Sequence, residues 1–164
     1  MEIKSTFKNR SGQVLDYVYY EGKDPMKNLD EKVLHGVHGF CFYGDKLVIV
    51  YSEKKKLWGL PGGKIENGET FEEALVREIK EETNMKVLRQ KLIGFIDINE
   101  PNKINRQIRS FCIVEPYSDF VADEDTEGDV TEIKLIDPYN YKKYFDWGVI
   151  GDHIMKRAVE LKNK

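Results

Sequence analysis

The sequence predicts an α+β fold in a single domain. Strand-like runs come first, an amphipathic helix follows, and further strand-like runs precede a second amphipathic helix. The 164 residues are 40% hydrophobic, enough for one domain with a real core and too few for two. We therefore expect one domain over residues 1–164, with residues 1–32 forming a hairpin and a connection packed on the rest.

Two pairs of β-prone runs precede the first helix, and each pair flanks a turn. The first pair covers residues 2–8 and 13–20, and the second covers residues 33–43 and 46–51. Only Gly44 and Asp45 separate the second pair, as in a tight hairpin. The polar residues 22–32 are interpreted as a short connection between the hairpins.

The later part of the chain predicts three more strands and two helices. The strands are expected at residues 87–98, 104–114 and 132–136, with a turn at residues 100–102 and an acid-rich loop at 117–129. Asp137 followed by Pro138 is a start signal for a brief helix over residues 138–145. The last helix carries apolar residues at helical spacing, namely Ile150, Ile154, Ala158 and Leu161.

The first helix has a marked start and an unusual face. Thr70 is an N-cap residue, and Glu73 three positions later completes a capping box. Along the helix one stripe changes from apolar to acidic, which brings Glu78, Glu81 and Glu82 together. Like charges at these spacings destabilise an isolated helix by about 0.2–0.5 kcal/mol per pair.

A divalent cation between the three glutamates would turn that repulsion into binding. Oxygen ligands at this density suit Mg²⁺, with Mn²⁺ as an alternative, and residues 61–85 contain no Cys or His to indicate zinc. A solvated, charge-rich helix face explains the helix alone equally well.

The full spacing around this helix resembles the box that defines the Nudix hydrolases. The matching positions are Gly63, Glu69, Arg77, Glu78, Ile79, Glu81, Glu82 and Met85. The family usually has Gly where this chain has Asn84, and Asn is the next best residue for a helix end with positive φ. The resemblance implies an α/β/α sandwich with a mixed β-sheet between helices.

The resemblance also implies roles for the box residues. Glu78, Glu81, Glu82 and the backbone carbonyl of Gly63 are the implied Mg²⁺ ligands, and Glu81 could instead orient the attacking water. Arg77, through an ion pair with Glu69, would orient the carboxylates. We expect Glu81, Glu78, Arg77 and Glu69 to serve catalysis. The general base stays open between a box glutamate and the loop acids Glu127, Asp129 and Glu132.

Substrate contacts are less well marked. Trp58 precedes the box, where its ring could stack on a base or sit at the edge of the core. Lys64 is the other candidate substrate-binding residue. His35 and His38 point to opposite faces of a predicted strand, so they could not bind one zinc ion without distortion. They are interpreted as strand residues near the substrate cleft or in the core.

Arg106 and Arg109 likewise face opposite ways on one predicted strand, so at most one can reach the substrate.

Composition excludes several other classes. The net charge is −3 and the pI is near 5.7, which argues against a nucleic-acid polymer as partner. Cys41 and Cys112 fall in apolar runs and are interpreted as buried thiols in a reducing compartment. No leader-like or membrane-spanning run is evident. We expect a cytoplasmic monomer or homodimer that acts on a small nucleotide and does not bind membranes.

The resemblance to the Nudix hydrolases, together with the acidic face of the first helix, implies a Mg²⁺-dependent pyrophosphohydrolase of a nucleoside diphosphate linked to another group, X. A (modified) nucleoside triphosphate such as 8-oxo-dGTP is the preferred substrate. ADP-ribose or a nucleotide sugar is the alternative, since Pro101 lies sixteen residues after Met85, a spacing associated in the family with ADP-ribose hydrolysis. A nucleotide-sensing Nudix domain without turnover is a further alternative.

Overall fold

The computed structural model describes residues 1–27, 29, 33–122 and 129–164. The strands are β1 (Glu2–Lys8), β2 (Val14–Tyr20), β3 (Val33–Tyr43), β4 (Lys46–Ser52), β5 (Leu57–Gly59), β6 (Gly62–Lys64), β7 (Met85–Glu100), β8 (Lys103–Pro116) and β9 (Val130–Ile136). The helices are α1 (Phe71–Thr83), a 3₁₀ helix (Pro138–Lys143) and α2 (Gly148–Lys162).

All nine strands form one mixed sheet. The order is β1-β2-β7-β8-β3-β4-β5, with β6 paired to β3 and β9 paired to β4. Strands β3 and β8 run parallel, and the other pairs are antiparallel. The predicted mixed sheet is therefore confirmed.

Alternating side chains of the central strands build a core on each face of the sheet. On one face Val37 and Cys41 pack with Leu75 and Ile79 of α1. On the other face the core contains the aromatic and aliphatic residues Phe40, Phe42, Phe111, Ile154 and Leu161, the last two from α2. The sheet lies between the two helices, which confirms the expected sandwich.

Most predicted elements are found, and their bounds differ in places. Strands β7 and β8 are longer than expected, and the brief helix predicted over residues 138–145 is a 3₁₀ helix that ends at Lys143. The short strands β5 and β6 were not expected. Residues 123–128 of the acid-rich loop, and residues 28 and 30–32 of the connection, lie outside the described residues.

Both ends of α1 form as predicted. Thr70 Oγ1 accepts a hydrogen bond from the Glu73 backbone N–H at 3.1 Å, and Glu73 Oε1 accepts one from the Thr70 N–H at 3.3 Å. Asn84 ends the helix with φ 56°, in the left-handed region. Its amide nitrogen Nδ2 also donates to Ser118 Oγ at 2.6 Å, a contact that glycine could not make.

Both cysteines belong to the core of the sheet. Cys41 and Cys112 are buried free thiols that lie opposite each other on β3 and β8, as expected for core residues. Across the ranges that the structure describes, no helix is long and apolar enough to cross a membrane.

Candidate active site

The main cavity opens where the arms of the second hairpin separate. Strands β3 and β4 pair only next to their turn, at Phe42–Leu47 and Tyr43–Lys46. Beyond it, β3 pairs with β8 and β6, whereas β4 pairs with β9 and β5. A cavity of about 1070 Å³ lies there, against the acidic face of α1. Its volume is at the upper end of the range for small-molecule sites.

Arg77 is the centre of the ion-pair network on this face. Its Nε and Nη2 atoms donate to the two carboxylate oxygens of Glu69, each at 2.8 Å. Its Nη1 donates to Glu78 Oε1 at 2.9 Å and lies 3.5 Å from Glu81 Oε2. Hydrogen bonds from Arg77 and from the Glu66 backbone N–H hold the pKa of Glu69 at about 2. Glu69 therefore stays ionised and fixes the arginine beside the acids.

Gly63 lies directly against Glu78. A Cβ atom built on Gly63 would be 2.6 Å from the carboxyl carbon of Glu78, so only glycine leaves room for this carboxylate. The Glu78 carboxylate thus lies beside the backbone of β6, and both groups offer oxygen atoms. These are the hard ligands that Mg²⁺ and Mn²⁺ prefer, so the donor set fits the implied cation.

Glu82 lies deeper than its neighbours. The Gly62 backbone N–H donates to Glu82 Oε1 at 3.0 Å. Burial, together with the nearby charges of Glu78, Asp129 and Glu81, outweighs that one hydrogen bond and raises the pKa of Glu82 to about 8. The region therefore carries an excess of negative potential that a divalent cation would offset.

The acidic side chains of the described residues do not converge on a common point where a metal ion could bind. Over residues 1–27, 29, 33–122 and 129–164, no three His, Cys, Asp or Glu side chains converge closely enough to hold an ion. Glu78 is engaged by Arg77, Glu82 by the Gly62 N–H, and Glu81 is largely exposed. Binding of a cation would require these side chains to turn toward one another. Their role as ligands stays a prediction.

The candidate general bases differ in position. Glu127 lies outside the described residues. Asp129 lines the cavity, where it accepts hydrogen bonds from Ser52 Oγ and from the Lys54 backbone N–H. Desolvation raises its pKa, but these bonds and the nearby lysine charges outweigh that and lower it. Glu132 is exposed on β9, opposite Tyr51 of β4.

Of the two expected substrate-binding residues, one lines the cavity and the other does not. Trp58 lines the cavity and packs against Tyr51, with ring centroids 5.2 Å apart, and against the edge of Tyr144 at 5.9 Å. It therefore serves the core and the cavity together. The exposed Lys64 lies outside the cavity lining, and its backbone carbonyl accepts a hydrogen bond from Arg77.

Sequence reasoning did not select the residues at the other end of the cavity, which are His38, Gln107, Arg109 and Trp147. Strand alternation showed only that one of Arg106 and Arg109 could reach a substrate. The structure places Arg109 in this cavity and Arg106 in a second one, beside Asp97. Trp147 reaches the cavity from the segment before α2, a long-range contact that leaves no local signal in the sequence.

Comparison with known proteins identifies relatives of this arrangement. The NUDIX domain family matches residues 35–148, which include the whole box. Nudix hydrolase 8 of Arabidopsis thaliana is 29% identical over 133 residues, 77% of this chain and 35% of that protein. The putative 8-oxo-dGTP diphosphatase YtkD of Bacillus subtilis is 29% identical over 119 residues, 73% of this chain and 71% of that protein.

Other similarities are shorter or concern the fold. The ADP-ribose pyrophosphatase of Methanocaldococcus jannaschii is 55% identical over 61 residues, 35% of this chain and 36% of that protein. The chain thus spans about a third of the length of the plant and archaeal relatives. The crystal structure of the Bacillus subtilis pyrophosphohydrolase BsRppH superposes with TM-score 0.72 at 20% identity, covering 95% of this chain and 96% of that one. At that identity the likeness shows the fold.

Proposed function

The chain belongs to the Nudix hydrolase family, and from this we propose that it is a Mg²⁺-dependent pyrophosphohydrolase of nucleoside diphosphates linked to X. The proposal depends on one observation, namely that the acidic residues of the box line the wall of a cavity. Glu78, Glu81 and Glu82 stand on α1 beside Arg77, next to a space large enough for a nucleotide.

Each box residue has a task in this proposal. Mg²⁺, when bound, neutralises diphosphate charge and lowers the pKa of water. Glu78 and Glu82, together with the Gly63 carbonyl, would hold the cation. Arg77 keeps Glu78 oriented and is itself fixed by both oxygens of Glu69. Glu81, the most exposed of the three acids, remains available to accept a proton.

For the substrate, we favour a (modified) nucleoside triphosphate such as 8-oxo-dGTP, cleaved to a monophosphate and pyrophosphate. The name of YtkD and the aromatic rings of Trp58 and Trp147 in the cavity support this choice. ADP-ribose is the second candidate. The name of the archaeal relative supports it, and so does Pro101, which lies in the turn between β7 and β8.

The test is a hydrolysis panel with Mg²⁺ and with a chelator. It contains 8-oxo-dGTP, the ordinary nucleoside triphosphates, ADP-ribose and nucleotide sugars, and it measures release of pyrophosphate and of monophosphate. Metal-dependent pyrophosphate from triphosphates is expected, whereas AMP from ADP-ribose alone would shift the assignment to the second candidate. A folded protein that binds nucleotide but turns nothing over would be a sensing domain instead.

Glu82→Gln tests the ligand assignment within that panel. We expect a loss of kcat of at least about 100-fold, since a carboxylate ligand and its charge are removed. Glu115→Gln, an exposed acid at the end of β8, is the matched control and should retain the wild-type rate. Full Mg²⁺-dependent turnover by Glu82→Gln would refute the assignment.

A further inference from the structure

Two arginines of β8 have opposite electrostatic surroundings. Arg106 and Arg109 are equally buried, each with 8% exposure. Arg106 Nε and Nη2 donate to the two oxygens of Asp97 at 2.8 and 2.9 Å, which neutralises its charge. The side-chain partners of Arg109 are neutral: Nη2 donates to Gln107 Oε1 at 2.7 Å, and Nη1 lies 3.3 Å from His38 Nδ1. Within the described ranges Arg109 forms no salt bridge.

A buried charge without a counter-ion is costly, and neutral hydrogen bonds repay only part of the cost. Burial lowers the pKa of Arg109 to about 10, so the guanidinium is still charged at neutral pH. Because Arg109 lines the main cavity, a ligand there can supply the missing acceptor. Arg106, by contrast, has a carboxylate partner on the neighbouring strand β7, Asp97.

The three side chains at this end of the cavity offer only N–H groups to a ligand. Arginine has no acceptor, so His38 Nδ1 must accept and Nε2 must carry the ring proton. Burial and the Arg109 charge lower the pKa of His38 to about 3, so the ring is neutral. Gln107 uses its carbonyl oxygen on Arg109, which leaves its amide NH₂ as the donor.

The surroundings of these donors match a nucleobase. The guanidinium of Arg109 lies 5.9 Å from the ring centroid of Trp147, which stacks on Phe145 at 4.1 Å. Trp58 lines the same cavity, and the acids of α1 form its other wall. A nucleotide with its phosphates at the acids would place its base among the rings and donors.

We propose that Arg109, His38 and Gln107 select a base with an oxo edge, such as guanine, hypoxanthine or uracil, and reject the amino edge of adenine or cytosine. The shared chemistry is a ring carbonyl oxygen, which is an acceptor, at the position where adenine and cytosine carry an amino donor. Guanine presents O6 and N7 as acceptors, whereas adenine presents an N6 amino donor that would face other donors. This inference rests on the proposed function, because it assumes that the cavity holds a nucleotide.

ITP and ATP isolate the edge in question, because the six-position oxygen of ITP replaces the amino group of ATP. We expect kcat/KM to favour ITP by about 5- to 150-fold, the discrimination of a good two-point contact. Gln107→Glu would place a carboxylate beside Arg109 Nη2, which the present amide oxygen contacts at 2.7 Å. That internal partner should reduce the ITP/ATP ratio to near 1 without loss of thermal stability, and Arg109→Met should also remove the preference.

Gln13→Glu makes the same chemical change at an exposed turn and should leave the ratio at its wild-type value. A ratio that Gln107→Glu and Arg109→Met both leave unchanged, in folded and active proteins, would show that these residues do not read the base.

Binding without turnover separates this inference from the proposed function. In chelator, the dissociation constants of ITP and ATP are measured by calorimetry for wild type and Gln107→Glu. Stronger binding of ITP that Gln107→Glu abolishes supports the inference even if no nucleotide is hydrolysed, a result that would refute only the proposed function. Equal binding of ITP and ATP, or no binding of either nucleotide, overturns the inference. If inorganic phosphate instead protects wild type, but not Gln107→Glu, against unfolding, the donors bind an anion and the base assignment is wrong.

Discussion

The raised pKa of Glu82 predicts that the metal-free protein loses stability as the pH rises. In the unfolded chain this carboxyl has its ordinary pKa of 4.5, and in the folded protein its pKa is about 8. Between these values the folded state keeps a proton that the unfolded state releases, so unfolding is favoured progressively. Replacement by Gln, which has no charge to desolvate and can still accept the Gly62 N–H, should remove this pH-dependent cost.

The two pKa values set the magnitude of this loss of stability. With 1.36 kcal/mol per pKa unit, the cost is below about 1 kcal/mol at pH 5 and reaches at most about 4 kcal/mol at pH 8. Glu82→Gln should therefore match wild type at pH 5 and exceed its free energy of unfolding at pH 8. The assay is urea unfolding in chelator at both pH values, with Glu115→Gln as the control.

Mg²⁺ should narrow the difference between wild type and Glu82→Gln at pH 8. A cation that binds only the folded wild type adds about 2.7 kcal/mol at 100 times its dissociation constant, and the Gln variant should gain much less. If Glu82→Gln followed the wild-type pH dependence in chelator, Glu82 would not carry the buried negative charge and the electrostatic account of the site would fail.

Three backbone positions give further predictions. In Gly63→Ala the new Cβ meets the flexible end of Glu78, so the free energy of unfolding should change by less than about 1 kcal/mol while kcat falls at least about tenfold. In Gly62→Ala the new Cβ would clash with the rigid Val37 carbonyl, and urea unfolding should show a severe loss of stability. Asn84→Ala forces a residue with no polar side chain to hold φ 56° and should cost about 1 kcal/mol, measured by urea unfolding, whereas a larger cost for Asn84→Gly would show that side-chain contacts dominate there.

The elements that could be predicted are those with local causes. Helix α1 begins at a capping box and ends at Asn84, and each signal lies within a few residues of the structure that it specifies. The hairpins of β1–β2 and β3–β4 follow from alternation around short turns. Strands β5 and β6 have three residues each, too few for a periodic pattern, and exist because β4 and β3 supply their hydrogen bonds.

The candidate site likewise has one part that local sequence specifies and one part that depends on long-range contacts. Its acidic wall comes from one continuous stretch, residues 63–85, so a motif can specify it together with the bond that is cut. The end of the cavity that carries the N–H donors exists because β3 and β8 pair in parallel. This pairing places His38 opposite Arg109, although the two residues are 71 positions apart in the chain. No local pattern encodes that register. Resemblance in the box can therefore transfer the chemistry between relatives, whereas the proposed base selectivity depends on pairings between distant strands and can change without disturbing α1.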